Sequence, residues 1–184
     1  MTALDKLFAD ISAEMSECSA KLPPVQRWNP PLSGDIDIVI TRNGQWFHDG
    51  GEIKRQSLVK LFSSILKKEG DEFFLVTPVE KWRIRVEDAP FAIIAVDIQQ
   101  RNNIQVLTFE NSVGDKIVAG KDNPLRVEVN SKGEPSPYLL VRHGLEGIIN
   151  RAVFYQLAEL AEPGPGEKKA VQGVYSLGQF FPLE

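Results

Sequence analysis

Asp35–Gly50 reads DIDIVITRNGQWFHDG. Apolar residues alternate on both sides of Asn43-Gly44, the pair a type I′ turn favours, so the stretch predicts a β-hairpin. With a two-residue turn, Ile40 faces Phe47 and Ile38 faces Asp49. Val39 and Thr41 then pair with His48 and Trp46 on the other face. The body of the chain therefore begins as an antiparallel sheet.

Downstream, RQSLVKLFSSILKKEG (Arg55–Gly70) carries Leu58, Leu61, Phe62, Ile65 and Leu66 as one apolar stripe. This predicts a helix that Gly70 stops. FFLVTP, WRIRVE and FAIIAVDI read as three further strands. QQRNN (Gln99–Asn103) is a polar seam and the expected boundary between halves. QVLTFE and KIVAG form a second hairpin around SVGD. LRVEV and YLLVR are strands separated by the turn-rich NSKGEPSP. LEGIINRAVFYQLAELA (Leu145–Ala161), apolar around most of its circumference, predicts a second, buried helix. VYSLGQFFPL closes the chain as a strand or a pair. Strands, helix and an FF-containing strand occur twice, with negligible residue identity between the halves, which leaves duplication open.

Upstream, Leu4, Leu7, Phe8, Ile11, Met15 and Cys18 recur at helical spacing behind Thr2 as N-cap, an amphipathic helix. PPVQRWNPP (Pro23–Pro31) holds four prolines, which favour an extended arm, with Trp28 as its anchor. The fold class is thus α+β. The segments are 1–32 for the helix and arm, and 33–100 and 101–184 for two halves, each a curved, mostly antiparallel sheet packed on a helix.

A chain of 184 residues can bury a core without disulfide or metal staples. Its single cysteine, Cys18, excludes a disulfide framework and a cysteine-based zinc site. A formal charge of −4 gives no blanket attraction to nucleic acid or to an anionic membrane. The N-terminus lacks a secretory pattern, and FAIIAV is far short of the ~20 apolar residues that span a bilayer. A soluble, cytoplasmic protein is expected, with neither nucleic acid nor membrane as partner.

The catalytic inventory is thin: no GxSxG, P-loop, HExxH or strand-following GxGxxG occurs, and no catalytic residue is assigned. His48 and His143 are the only histidines, and no spacing argues for a metal or a cofactor. In the predicted second helix Gly144, Gly147 and Arg151 fall on one stripe beside Asn150. Glycine permits close backbone approach, and a helix start suits an anion, so with Arg142 these residues suggest either an anion cradle or close packing of a neighbouring strand with Arg151 paired to a carboxylate, and in either case Arg151 is expected to be partly buried. In TPVEKWRIRVEDAPF (Thr77–Phe91), Lys81, Arg83 and Arg85 project on one side of a strand, either as a solvated face or as an anion site. Glu80, Asp88 and Asp115 are the carboxylates available to an acid–base enzyme. The N-terminal helix or the charged strand could instead serve a protein partner.

NPPLSGDIDIVITRNGQWFHDG, LVKLFSSILKKEGDEFFLVTPVEK, VEDAPF, LTFENSVGD, PYLLVRHGLEGIINRAVFY and GQFFPL, in this order, resemble the bacterial family known as domain of unknown function 1285. The resemblance runs from about Asn29 to Leu183. It implies a two-repeat α+β architecture with a C-terminal half superficially like a pleckstrin-homology fold. It also implies a groove between the halves for a small, nucleotide-like ligand, and a role in signal transduction. Carried over by motif, the ligand-site candidates are Thr77, Glu80, Lys81, Asp88, Phe91, Asn111, Asp115, Arg142, Gly144 and Arg151. Arg83 and Arg85 fall between motifs and are expected to face water, with Trp46 or Phe91 as ring-stacking residues.

Overall fold

A computed structural model of the chain describes Leu7, Ala9, Ile11, residues 22–165 and residues 171–184. Two compact units emerge. The first comprises residues up to Thr41 together with Gln45–Glu87, and the second comprises Arg42–Gly44 together with Asp88–Glu184.

In the first unit, strands β1 (Leu32–Ile40), β2 (Trp46–His48) and β3 (Gly51–Glu52) precede helix α1 (Gln56–Ser64). Strands β4 (Leu66–Glu69), β5 (Glu72–Val76) and β6 (Lys81–Val86) follow it. The sheet order is β3-β2-β1-β6-β5-β4, antiparallel except for β1 beside β6. Alternation in DIDIVI puts Ile38 and Ile40 into the core, where Trp46 stacks on Phe62 of α1 with ring centroids 6.3 Å apart. Leu7 and Ile11 are helical and buried, and Ala9 between them is helical and exposed; the remainder of the expected N-terminal helix, with Thr2 and Cys18, lies outside the described residues. In the proline-rich arm Val25–Arg27 is a single 3₁₀ turn, and the Trp28 carbonyl accepts from Lys67 Nζ at 2.9 Å.

The second unit repeats this plan. Its strands are β7 (Phe91–Arg101), β8 (Ile104–Asn111), β9 (Lys116–Val118), β10 (Leu125–Val129), β11 (Pro135–Arg142) and β12 (Leu145–Ile149). They lie in the order β10-β11-β12-β7-β8-β9, again with the first strand parallel to the sixth, β7 beside β12. Each unit is therefore two three-stranded meanders joined through one parallel pair, and the halves are alike. Helix α2 (Arg151–Glu159) follows β12, whereas α1 sits between the meanders. Strands β13 (Glu162–Pro163), β14 (Gln172–Ser176) and β15 (Gln179–Pro182) form a third sheet. Ser176 fastens it to the second: its buried hydroxyl donates to Ala119 O at 2.7 Å and accepts from Leu107 N at 3.0 Å.

Four expectations change. The first hairpin closes through a three-residue loop, with Thr41 N donating to Gln45 O, so Ile40 faces Trp46 and Ile38 faces His48. Helix α1 ends at Ser64; LKKE is strand β4, and Gly70, at φ +60°, turns β4 into β5. The polar seam at Gln99–Asn103 is the tip of the long β7–β8 hairpin, inside the second unit, with Asn102 and Asn103 both at positive φ. Lastly, Leu145–Ile149 is not helical. It is strand β12, and the helix starts only after Asn150, whose Oδ1 accepts from Val153 N at 2.9 Å.

Candidate functional site

The change at Leu145 dismantles the predicted glycine–arginine cradle. Gly144 pairs with His143 in the tight β11–β12 turn, both at positive φ, and His143 faces solvent. Gly147 lies in a buried strand, where a Cβ would fall 2.6 Å from Ile93 Cδ1 and 3.3 Å from Phe91 Cβ. The close approach that glycine permits here is made by neighbouring core side chains. Arg142 is held at home: its Nη1 reaches Asp115 Oδ2 at 2.8 Å, and its guanidinium lies 4.8 Å from the Phe91 ring centroid. Asn111 is fully buried and completes this arrangement, its Oδ1 accepting from the backbone of Val113 and Asp115 and its Nδ2 donating to Asp115. Asn111, Asp115, Arg142 and Phe91 do come together, as a self-satisfied structural cluster.

In the first unit, TPVEK builds a turn. Thr77 Oγ1 accepts from Glu80 N at 3.0 Å, and Thr77 N donates to Glu80 O at 2.9 Å. The buried Glu80 carboxylate accepts from Trp82 Nε1 at 3.1 Å. Lys81 Nζ lies 2.9 Å from Glu69 and 4.9 Å from the Phe74 centroid. Lys67 reaches the same Glu69 carboxylate at 3.1 Å. The Lys81 hydrogen bond, ahead of the others, holds the Glu69 carboxyl below its ordinary range. Arg83 pairs with Asp35 and Glu72, and Arg85 is exposed. The basic stripe is thus mostly neutralised by acids of its own sheet.

One cleft, of about 860 Å³, opens within the second unit. Ala92, Ile94 and Ile148 contribute apolar surface, and Pro135, Ser136 and Pro137 of β11 lie along it. Asn130 and Glu134 of the β10–β11 loop, and Arg42 and Asn43 of the first hairpin tip, complete this part of the lining. From the other side come Asn150, Arg151, Phe154 and Tyr155 of α2 and its cap. The volume falls within the roughly 300–1,000 Å³ of small-ligand sites, as does the mixture of apolar wall and few polar groups.

Arg151 is the unusual member. It was expected to be partly buried but is exposed, and its side chain has no hydrogen-bond or ionic partner among the described residues. It occupies the first position of α2, whose first turn holds no acidic residue. A cation there opposes the helix dipole by about 0.3–1 kcal/mol. Tyr155, 58% exposed, stands four residues on, and so on the same helix face. Trp46 and Phe91, the expected stacking residues, are both buried in cores, whereas the half-buried Phe154 and the exposed Tyr155 line the cleft. The signal that could have found it was RAVFY itself, with arginine and two aromatics at i, i+3 and i+4.

Asp88 lies behind the cleft. Its Oδ1 accepts from Tyr138 OH at 2.8 Å, and its Oδ2 is 3.3 Å from Arg42 Nε. Burial first, then this hydrogen bond, push the Tyr138 hydroxyl up to about 12. Glu80, Asp88 and Asp115, the acid–base candidates, are each engaged by a different set of donors. Among the described residues no three His, Cys, Asp or Glu side chains converge as a metal site, and no helix is long and apolar enough to cross a membrane.

Against known proteins, a family model described as the N-terminal domain of a domain of unknown function (DUF1285) matches residues 23–89, and one described as the C-terminal domain of a protein of unknown function (DUF1285) matches residues 90–183. No curated protein matches the chain. Among solved structures, a DUF1285 family protein from Silicibacter pomeroyi DSS-3 is 48% identical, covers 94% of this chain and 93% of its own, and superposes with a TM-score of 0.82. A DUF1285 family protein from Shewanella baltica OS155 is 31% identical over 66% of this chain and 90% of its own, with a TM-score of 0.52.

Proposed function

The chain belongs to the DUF1285 family, and from that premise we propose that it is a non-catalytic binding module whose second unit takes a small organic anion in the cleft beside α2. Its role is sensing or regulation, in which occupancy of the cleft rather than turnover is the output. The observation that carries the reading is Arg151: exposed, unpartnered among the described residues, set against its own helix dipole and lining an apolar-walled cleft. Natural chains break such local electrostatic rules chiefly where function offsets the cost. A guanidinium offers a planar fork to carboxylate or phosphate, and Tyr155 can cover an adjoining ring or chain. Nucleotide-like anions are one class within this reading.

The test is a thermal-shift screen at low ionic strength against nucleotides, phosphorylated metabolites and organic acids. A ligand at a hundred times its dissociation constant stabilises by about 2.7 kcal/mol, several degrees for a domain of this size. The expected result is a shift that shrinks as salt rises and vanishes in Arg151→Ala. A shift that survives Arg151→Ala, or none across the panel, would refute the assignment.

A further inference from the structure

The same cleft holds an acid with no cation of its own. Glu134 ends the β10–β11 loop and lies exposed on the cleft wall. Asn130 sets its direction. Asn130 Oδ1 accepts from the backbone N–H groups of Lys132 and Glu134, each at 2.9 Å, and Nδ2 donates to Glu134 Oε2 at 2.8 Å. Among the described residues Glu134 Oε1 has no partner, and no cation pairs with the carboxylate. Arg151 lines the cleft from α2, likewise without a counterion among the described residues, so two opposite charges face one space and do not join. Coulomb attraction weakens with separation and with intervening water, so each gains more from a counter-charge brought into contact than from the other across the gap. Arg42, also on the wall, is paired with Asp88 behind it. The charged groups on and behind the cleft therefore balance.

Resting on the reading of Arg151 as the anion grip, we infer that the ligand is a zwitterion, an amino acid or another amino-bearing carboxylic acid. Arg151 takes the carboxylate with its planar fork, Glu134 takes the ammonium group, and an apolar body lies on Ala92, Ile94 and Ile148. A ligand without net charge keeps the cleft balanced, whereas a phosphate ester would add negative charge beside Glu134 and Asp88. Glu134 thereby decides between an amino acid and the same acid lacking its nitrogen.

The experiment is calorimetric titration at low ionic strength with two pairs of probes, each pair sharing one carbon body: phenylalanine with phenylpropanoate, and para-(aminomethyl)benzoate with para-methylbenzoate. The wild-type protein is expected to bind at least one zwitterion about tenfold more tightly than the acid of its pair. Glu134→Gln keeps an acceptor for Asn130 and loses the charge. In that variant the ratio should fall to about one, and the acids should bind more tightly than they do to wild type, because a like charge has gone. Arg151→Ala should weaken acids and zwitterions together. Preference within the phenylalanine pair assigns adjacent charges, and preference within the other pair assigns charges held apart by the body. Acids that bind as tightly as their zwitterions, or a preference that survives Glu134→Gln, overturn this inference and leave the anion site standing. Failure of all four probes to bind overturns both.

Discussion

Arg142 is clamped between Asp115, 2.8 Å from its Nη1, and the ring of Phe91 beneath its guanidinium. With side-chain exposures of 15% and 28%, the pair is largely withdrawn from water but not sealed. Removing one partner leaves a poorly hydrated charge behind. Arg142→Ala is therefore expected to lower unfolding free energy by about 1–3 kcal/mol in urea titrations. A variant as stable as wild type would show that the cluster does not hold the unit together.

Acid stability should carry the mark of Glu69. Its folded-state carboxyl lies below its ordinary range, first through the Lys81 hydrogen bond. A depressed carboxyl contributes stability that is present above its unfolded value of about 4.3 and is lost as pH falls through the folded value. Melting temperature should thus drop below about pH 4.5, and Glu69→Gln should lower it at neutral pH while flattening that acid limb. An acid limb identical in the variant would exclude Glu69 as its source.

Tyr138 should ionise late. Its hydroxyl is pushed up to about 12 by burial and by its bond to Asp88. A raised pKa means stability fully present below the unfolded value of about 10 and lost as pH rises through about 12. Phenolate absorbance should therefore show one late step near pH 12 that Tyr138→Phe abolishes. Its survival in that variant would assign the late step elsewhere.

Arg151 should be replaceable without cost to the fold. Because a cation at the start of α2 opposes the dipole and has no partner among the described residues, Arg151→Glu is expected to stabilise by about 0.3–1 kcal/mol in urea titrations. Destabilisation would mean that Arg151 serves the fold.

The parts of the fold that were readable ahead of the structure are those where a period of two meets unambiguous turn chemistry. DIDIVI and LTFE alternate cleanly, and the turn at Ser112–Asp115 follows from glycine and Asx residues, whereas the same chemistry at Asn43-Gly44 placed a hairpin but set its loop one residue too short. Leu145–Leu157 misled because Leu145, Ile148, Ile149 and Val153 keep a helical spacing straight through a strand–helix junction. The available signal was Asn150, a favoured N-cap behind β-branched Ile148-Ile149. LKKE failed similarly: lysine and glutamate favour helix, and only pairing with Phe73 and Phe74 makes them strand. Of the site, Arg151 was legible as a residue type but not as an exposed one, and its lack of a partner among the described residues is a tertiary fact. Arg42 was invisible, since nothing in TRNGQ says where a hairpin tip will rest.

That tip bears on how the polypeptide can be divided. The family models part at residues 89 and 90, yet Arg42–Gly44 fold with the later unit, where Gly44 packs so closely that a Cβ would lie 2.8 Å from Ala92 Cβ. A recombinant fragment beginning at Asp88 would strip Ala92 of that cover and Asp88 of its arginine. The two repeats, alike in strand order, are not interchangeable modules that a gene can shuffle at their seam.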